Sequence, residues 1–190
     1  MPGLRSEIEQ QRPFSSAEEE AFLNLLRTSD CLERAFQRST RAWGVTATQY
    51  NVLRILRGAQ PDGLPCTAIG KRMIAAEPDI TRLLSRLKAL KLIRQRRDRQ
   101  DRRVVWTQIS ESGLALLDSM NPVIQQAPRE LLGHLNRAEL TELTRLLELA
   151  RSTADDGAAA MAKGEAQTSK MEGDYPARQT RSEPDLVPAG

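Results

Sequence analysis

The chain has little of what enzymes and metal sites usually need. It holds one histidine, His134, and two cysteines, Cys31 and Cys66, among 190 residues. One histidine excludes most histidine-rich metal sites, and two cysteines cannot form a disulfide framework. A glycine-rich phosphate loop and a cysteine–histidine pairing are also lacking, so no catalytic set can be nominated. The sequence therefore predicts neither an enzyme nor a bound cofactor or metal ion.

Long apolar runs and aromatic residues are scarce as well. No stretch approaches the roughly 18 consecutive apolar residues of a membrane span, and the N-terminus lacks the basic-then-apolar layout of a secretory signal. We therefore expect a cytoplasmic protein without a membrane-spanning segment. Aromatic residues make up 4% of the chain, so the core must be built mainly from leucine and alanine, which favours helices over stacked sheets.

The net charge is modest but unevenly distributed. It is +3 for the whole chain, with 28 basic and 25 acidic side chains. Residues 151–190 hold five of the basic and seven of the acidic ones, which leaves 23 basic, 18 acidic and a net charge of +5 in residues 1–150. A basic excess concentrated in one part of a protein favours an anionic partner, and nucleic acid and an anionic membrane both qualify. Binding to a membrane would require bulky apolar residues on the exposed side of the basic segment, and the arginine-rich run at 94–103 has none before Val104, so we expect no membrane partner.

The most basic stretch joins an amphipathic helix to an arginine-rich hairpin. Apolar side chains that recur at spacings of three and four predict one buried helical stripe, formed by Ile80, Leu83, Leu84, Leu87 and Leu90. Pro78 fits the first helical turn and Glu77 the N-cap position. We therefore expect this helix to begin near Pro78 and to end near Leu90 or Lys91.

The hairpin follows directly. Residues 94–103 read RQRRDRQDRR, with six arginines, and the β-branched and aromatic run VVWTQI after them predicts a returning strand. Arginine can grip a phosphate or a guanine edge through two hydrogen bonds. The arginine run alone could be a solvated charged loop. Beside an arginine-bearing helix, it favours binding to duplex DNA.

The remaining sequence predicts helices around this stretch. A capping box of Ser15 with Glu18, or of Ser16 with Glu19, opens a long first helix, and Thr46 with Gln49 opens a second. Residues 58–65 have the composition of a turn. A short third helix around Thr67–Ile74 then forms a helix-turn-helix with the Pro78 helix through a tight connection at 75–77, and the hairpin makes this a winged helix.

Two further helices follow the wing. Ser110 caps the first of them, in which Pro122 and Pro128 should cause bends or breaks. Asn136 with Glu139 opens the second, which carries a leucine stripe.

The fold class is therefore mainly α with a small β-hairpin wing. We assign 1–14 to a flexible arm, 46–109 to the DNA-binding block, 15–41 and 110–151 to dimerisation helices, and 152–190 to a disordered tail.

This order of elements resembles the MarR family of winged helix-turn-helix transcription regulators over residues 15–151. The strings DITRLLSRLKALKLI, DRQDRR and QISESGLALL carry the resemblance. It implies a homodimer that binds double-stranded DNA at a pseudo-palindromic operator, usually as a repressor. It also implies release by a small aromatic or anionic effector, or by an oxidant.

The resemblance assigns DNA contacts by position. The residues matching the recognition helix are Pro78, Asp79, Thr81, Arg82 and Arg86, and those matching the wing are Arg99, Asp101, Arg102 and Arg103. Thr81 and Arg82 lie where a recognition helix reaches base edges. Asp79 either accepts a hydrogen bond from cytosine, orients Arg82 or favours the helix dipole. Lys91 departs from the family, which usually has a glycine there. A left-handed C-cap strains a lysine by about 1 kcal/mol, so we expect the turn into the wing to differ in detail.

Other functions stay open beside this one. Arg41, Trp43 and Tyr50 lie where the family binds ligands, although core packing explains both aromatic residues equally well. Cys66 could make the protein a redox-responsive regulator, whereas Cys31 suits packing in the dimer layer. A winged helix that binds a protein partner is the main alternative to DNA binding, because a fold does not fix a function.

Overall fold

The computed structural model describes residues 3–152, and helices dominate this range. The helices are α1 (Leu4–Glu7), α2 (Ala17–Arg41), α3 (Ala47–Arg57), α4 (Cys66–Arg72), α5 (Ile80–Ala89) and α6 (Glu111–Leu132), and the strands are β1 (Leu64–Pro65), β2 (Ile93–Arg97) and β3 (Val105–Ile109). A further helix, α7, covers residues 137–152. The prediction of a mainly α fold with a small hairpin wing is confirmed.

Short-range capping explains where the first long helices begin. Ser16 caps α2, because its side chain accepts a hydrogen bond from the backbone N–H of Glu19 at 3.2 Å. The Glu19 carboxylate in turn accepts from the backbone N–H of Ser15 at 2.6 Å. Thr46 and Gln49 form the predicted capping box of α3. These bonds satisfy N–H groups that have no partner within the helix.

The sheet has three antiparallel strands in the order β1, β3, β2. Leu64 pairs with Thr107 and Pro65 with Trp106. The prediction that residues 58–65 form only a turn is therefore wrong at its end. Gly63 has a φ of +78° and no room for a Cβ atom against the Thr107 carbonyl. Glycine alone tolerates both conditions, so it lets this segment approach β3.

One apolar core joins all the elements between α3 and α6. Leucine and isoleucine dominate it, as the scarcity of aromatic residues predicts, whereas alanine contributes only Ala127 to the buried apolar residues of the described range. Burying a leucine side chain fully stabilises the fold by roughly 1.5–3 kcal/mol. The side chains with almost no exposure include Val52, Leu53, Leu56, Ile69, Leu84, Leu87, Leu117 and Met120.

Helix α6 is continuous through its two prolines. Ser110 caps it by accepting a hydrogen bond from the backbone N–H of Gly113 at 3.1 Å. Pro122 and Pro128 lie on its exposed side, while Met120 and Ile124 are buried on the other. Packing against the core thus keeps the helix whole where each proline removes one backbone hydrogen bond. The prediction that the prolines could break it is wrong.

The N-terminal segment contains local structure that its composition does not predict. Leu4 is buried, and Glu7 at the end of α1 lies 3.8 Å from the Arg27 guanidinium on α2. The flexibility predicted for residues 1–14 stays a prediction.

Residues 135–152 belong to a second compact unit, separate from the unit that ends at His134. Asn136 caps α7: its side chain accepts from the backbone N–H of Glu139 at 3.1 Å, and the Glu139 carboxylate accepts from the backbone N–H of Asn136 at 2.7 Å. This is the predicted capping box. The tail predicted to be disordered, 152–190, lies outside the described residues except for Ser152. Within 3–152, no helix has both the length and the apolar character needed to cross a membrane.

Candidate DNA-binding site

Helix α5 presents a polar face above a buried apolar one. Leu83, Leu84 and Leu87 are buried in the core. On the opposite side Thr81, Arg82, Ser85 and Arg86 are exposed. The spacing of three and four between the leucines places them on one stripe, so the position of the exposed face is fixed by the core beneath it. This amphipathic pattern agrees with the sequence prediction for these three leucines. Leu90, which was predicted to lie on the same buried stripe, is instead 50% exposed at the end of the helix.

The helix begins later than predicted. Its N-cap is Asp79, whose carboxylate accepts from the backbone N–H of Arg82 at 2.9 Å, and its first helical residue is Ile80. Pro78 and Glu77 therefore lie outside the helix, where Glu77 accepts from the backbone N–H of Asp79 at 3.3 Å. An aspartate is a better cap than a glutamate, because its short side chain reaches the backbone of the first turn.

The connection between α4 and α5 is longer than predicted. It covers residues 73–79, because α4 ends at Arg72. The backbone N–H of Ile74 donates to the Asn51 side-chain oxygen on α3 at 3.0 Å, which ties the connection to the neighbouring helix. Met73 packs against the core, although it lies beyond the helix. Helix α3 therefore helps to hold the connection between the two helices of the helix-turn-helix in place.

Lys91 takes the backbone conformation that usually belongs to glycine. Its φ is +60°. The N–H of Lys91 donates to the Lys88 carbonyl at 2.9 Å and that of Leu92 to the Leu87 carbonyl at 3.0 Å. These two bonds define a Schellman ending of α5, completed by the burial of Leu92 and Leu87. The turn into the wing thus keeps its usual shape at the expected cost in backbone strain.

The wing is the hairpin of β2 and β3. Its register runs from Ile93 opposite Ile109 to Arg97 opposite Val105. Arg96 and Trp106 are also directly opposite each other, and the guanidinium carbon of Arg96 lies 5.5 Å from the Trp106 ring centroid. This distance is within the range of a cation–π contact.

One aspartate organises the loop at the tip of the wing. The Asp98 carboxylate accepts from the backbone N–H groups of Gln100 at 2.8 Å and Asp101 at 3.0 Å, and from the indole N–H of Trp106 at 2.9 Å. The hydrogen bonds from Asp101, Gln100 and Trp106, in that order, hold the pKa of the Asp98 carboxyl below its ordinary value. This carboxylate is therefore charged at neutral pH.

Asp101 has a smaller role in the same loop. Its carboxylate accepts from the backbone N–H of Arg103 at 2.9 Å. It therefore fixes the backbone of an arginine, while no ion pair within residues 3–152 joins it to a guanidinium.

Every arginine of α5 and the wing is exposed and lacks an ion-pair partner within the described residues. They include the five that the resemblance assigns to DNA contact: Arg82, Arg86, Arg99, Arg102 and Arg103. Helix α5 packs against β2, and the Schellman turn joins them directly. Unpaired guanidinium groups can bind phosphate or guanine without first giving up another partner. The arrangement is thus chemically suited to a polyanion with accessible base edges.

Comparison with known proteins decides the family. The MarR family profile matches residues 43–104, which contain the helix-turn-helix and most of the wing. The transcriptional repressor NicR of Pseudomonas putida is 32% identical over 127 residues, which cover 61% of this chain and 77% of NicR. A MarR transcription factor structure from Planctomyces limnophilus is 39% identical with a TM-score of 0.57, and the match covers 72% of this chain and 99% of that one.

This chain belongs to the MarR family. It is thus a DNA-binding transcription regulator of the winged helix-turn-helix type. A further similar structure is that of BpsR from Bordetella bronchiseptica, at 28% identity and a TM-score of 0.63, with 70% of this chain and 99% of that one covered. The DNA binding of BpsR is regulated by 6-hydroxynicotinic acid.

The MarR ligand-site candidates do not share one environment. Tyr50 is buried, with its ring centroid 5.8 Å from that of Phe36 in an edge-on contact. Burial raises the pKa of its phenol, which the charge of Arg54 opposes. Trp43 packs partly against the core, whereas Arg41 is exposed. Packing therefore explains Tyr50 without a ligand. Arg41 is the most accessible of the three candidates.

Neither cysteine is in a disulfide: Cys31 is exposed on α2, and Cys66 packs partly against the core at the start of α4. Within residues 3–152, no group of three or more histidine, cysteine or acidic side chains could hold a metal ion.

Sequence reasoning missed Asp98 and Trp106 as the organisers of the wing of this MarR protein. The signal for Asp98 was present, since aspartate commonly binds the backbone N–H two residues later in a turn. The indole contact had no signal, because it depends on the register that brings Trp106 back beside the loop.

Proposed function

We propose that this MarR-family regulator is a homodimeric repressor that reads an inverted-repeat operator and is released by a small aromatic or anionic effector. The observation that carries the proposal is the direct junction of α5, with free Arg82 and Arg86, to a wing with free arginines. In such a protein the second helix of the pair enters the major groove and the wing reaches the backbone or minor groove. Its place of action would be the cytoplasm.

The roles divide by chemistry. Arg82 and Arg86 are suited to pair with guanine, and Thr81 in the first turn is suited to either a base or a phosphate. Arg99, Arg102 and Arg103 are suited to phosphate or minor-groove contact, which adds affinity with little sequence information. For Asp79 and Asp101 the hydrogen bonds to the backbone favour a supporting role over a base contact.

Exposed apolar side chains support a homodimer. On α2, Phe22 is 60% exposed, Leu25 41% and Leu26 53%, and their spacing puts them on one face of the helix. In the unit after His134, Leu146 and Leu149 are also about half exposed. A face of this kind is costly in water and is typical of a subunit interface.

An effector is supported by a relative. BpsR, which this chain resembles over most of its described length, responds to a small aromatic acid. A protein partner in place of DNA is less favoured, because it would not require so many unpaired arginines in the wing.

Selection of bound duplexes from a random pool with purified protein tests the proposal. We expect an inverted repeat with half-sites about 10 base pairs apart, one helical turn, because a two-fold dimer presents two equal wings and helices. Sedimentation should give a dimer at micromolar concentration or below. A pool without an enriched motif would contradict the proposal, as would a monomer that binds the selected site fully.

Effector response is then read from the selected operator. We expect at least one compound in a panel of small aromatic acids to weaken binding by about 5- to 150-fold, the usual range of coupling between two sites. Weakening by all anions alike would indicate salt competition in place of a specific site.

A further inference from the structure

We propose that Asp98 and Trp106 are positioning residues that hold the wing loop in the shape in which its arginines meet DNA. The inference rests on the proposed function and assigns to it two residues that themselves need not touch DNA. Together with Arg96 they form what we name the wing clamp.

The wing clamp lies at the point where the third strand of the sheet, β1, ends and the hairpin continues with two strands. Strand β1 pairs with β3 at Thr107 and Trp106 and ends there. From the next pair, Arg97 with Val105, the hairpin has only two strands. An isolated two-stranded hairpin is marginally stable in water. The part of the wing that carries Arg99, Arg102 and Arg103 therefore needs a local support.

The wing clamp supplies this support by connecting both strands and the loop. Arg96 on β2 stacks on the ring of Trp106 on β3, and the indole N–H donates to Asp98, the first residue of the loop. The other Asp98 oxygen holds the backbone N–H groups of Gln100 and Asp101. Three parts of the wing thus share one aromatic ring and one carboxylate.

The loop is closed behind this carboxylate. The backbone N–H of Asp98 donates to the Val104 carbonyl, and that of Val104 donates to the Asp101 carbonyl, each at 2.9 Å. The three loop arginines, Arg99, Arg102 and Arg103, lie between Asp98 and Val104 in the sequence and so belong to the segment that these bonds close. Without the clamp the loop would have to be ordered during binding, which lowers affinity because conformational freedom is lost at that moment.

Electrostatics adds a second reason for the clamp. Six arginines in residues 94–103 repel one another. The charged Asp98 lies among them, and Arg96 is engaged with a ring on the protein itself. The clamp therefore holds the loop in one conformation in spite of the repulsion between its arginines. Without the clamp, the turn sequence alone would leave this conformation less populated.

Two substitutions break the Asp98–Trp106 contact from opposite sides. Trp106→Phe removes the indole N–H and keeps a ring beneath Arg96. Asp98→Asn can keep one oxygen for the backbone N–H groups but then presents an amide N–H to the indole N–H, so two donors face each other. The second variant also removes a negative charge, which by charge alone would tighten DNA binding. If DNA binding weakens in both variants, the shared cause is therefore the loss of the Asp98–Trp106 hydrogen bond, because the change in charge acts in the opposite direction.

The experiment titrates the selected operator and an unrelated duplex against wild type, both variants and the double variant at several salt concentrations. We expect each single variant to weaken binding to both duplexes by about three- to tenfold, with the ratio between duplexes unchanged. The salt dependence should become less steep by about one unit per wing. The double variant should lose little more than either single one, because both remove one hydrogen bond.

Tryptophan fluorescence of the free protein tests the Asp98–Trp106 contact without DNA. In Trp43→Phe protein, Trp106 is the remaining tryptophan of two. We expect Asp98→Asn in that background to change its emission in the free protein.

The outcomes separate the two proposals. Wild-type protein that enriches no duplex would contradict the proposed function. Wild-type protein that binds an operator, with variants that match it in affinity and salt dependence and lose only unfolding stability, would overturn the clamp and leave the proposed function intact.

Discussion

The recognition helix and the wing carry the same kind of free arginine on different supports. Helix α5 is fixed by Leu83, Leu84 and Leu87 in the core, so its position is as stable as the fold itself. The tip of the wing has no comparable buried side chain and depends on hydrogen bonds to Asp98 and on one stacked ring. Burial of apolar area is worth more than exposed polar contacts.

The difference in support fits the division of roles that we propose for the two regions. A helix that reads base edges must hold its side chains within a fraction of an ångström, which a packed core provides. A wing that contacts a backbone can tolerate more freedom, because phosphate contacts carry little positional information. The comparison leads to five expectations.

The largest effect should be a loss of stability when a buried leucine beneath α5 is truncated. Leu87→Ala should lower the free energy of unfolding by about 2–5 kcal/mol, because Leu87 is fully buried beneath α5 and its truncation leaves a cavity. Urea denaturation measures this. Leu90→Ala is the matched control at the end of the same helix, where the side chain is 50% exposed, and it should cost much less. Equal costs would mean that the core does not fix α5 as described.

The next effect concerns sequence reading by the helix. Arg82→Ala or Arg86→Ala should relax preference at one position per half-site by about 1–3 kcal/mol if that arginine pairs with guanine. Selection from a random pool detects the change. Arg129→Ala, an exposed arginine on α6, should leave the motif as in wild type. An unchanged motif for both α5 variants would exclude direct reading by these arginines.

Asp79 separates support of the helix from contact with a base. Asp79→Ala should lower stability by about 0.5–2 kcal/mol through loss of the N-cap, whereas Asp79→Asn should keep most of it, since asparagine caps about equally well. Thermal or urea unfolding of the two variants gives the comparison. If Asp79→Asn alters the selected motif at unchanged stability, a base contact by Asp79 is indicated instead.

On the wing side, affinity should change without specificity. Arg102→Ala should weaken operator and unrelated duplex alike and reduce the steepness of the salt dependence by about one unit per wing. Fluorescence titrations at several salt concentrations measure both. Arg102→Lys keeps the charge and should restore the slope. A change of motif in Arg102→Ala would assign base reading to the wing.

The smallest effect concerns the turn between the two regions. Lys91→Gly should raise stability by up to about 1 kcal/mol, because it removes strain at a φ of +60°, partly offset by the greater freedom of glycine in the unfolded chain. Urea denaturation again gives the value. Lys91→Ala loses the same charge without the relief and should give no gain. A gain in both would point to charge as the cause.

The sequence predicted those features that depend on neighbours along the chain. Capping at Thr46 and Asn136, the leucine stripe of α5 and the arginine-rich hairpin each involve residues a few positions apart, so local rules suffice. Family strings extended this to the whole fold. The start of α5 was missed by two residues. Pro78 suits a first helical turn and Asp79 suits an N-cap, and only the backbone geometry shows that Asp79 caps the helix and leaves Pro78 outside it.

What only the tertiary structure decided depends on residues far apart in sequence. Strand β1 exists because β3 offers it partners and Gly63 lets it approach, and two residues alone have no strand signal. Pro122 and Pro128 stay inside one helix because the buried side chains of α6 hold it to the core. Trp106 reaches Asp98 because the hairpin register returns it to the base of the loop. Local propensity is weak beside such packing and pairing, and therefore the shape of the wing could not be read from its arginines alone.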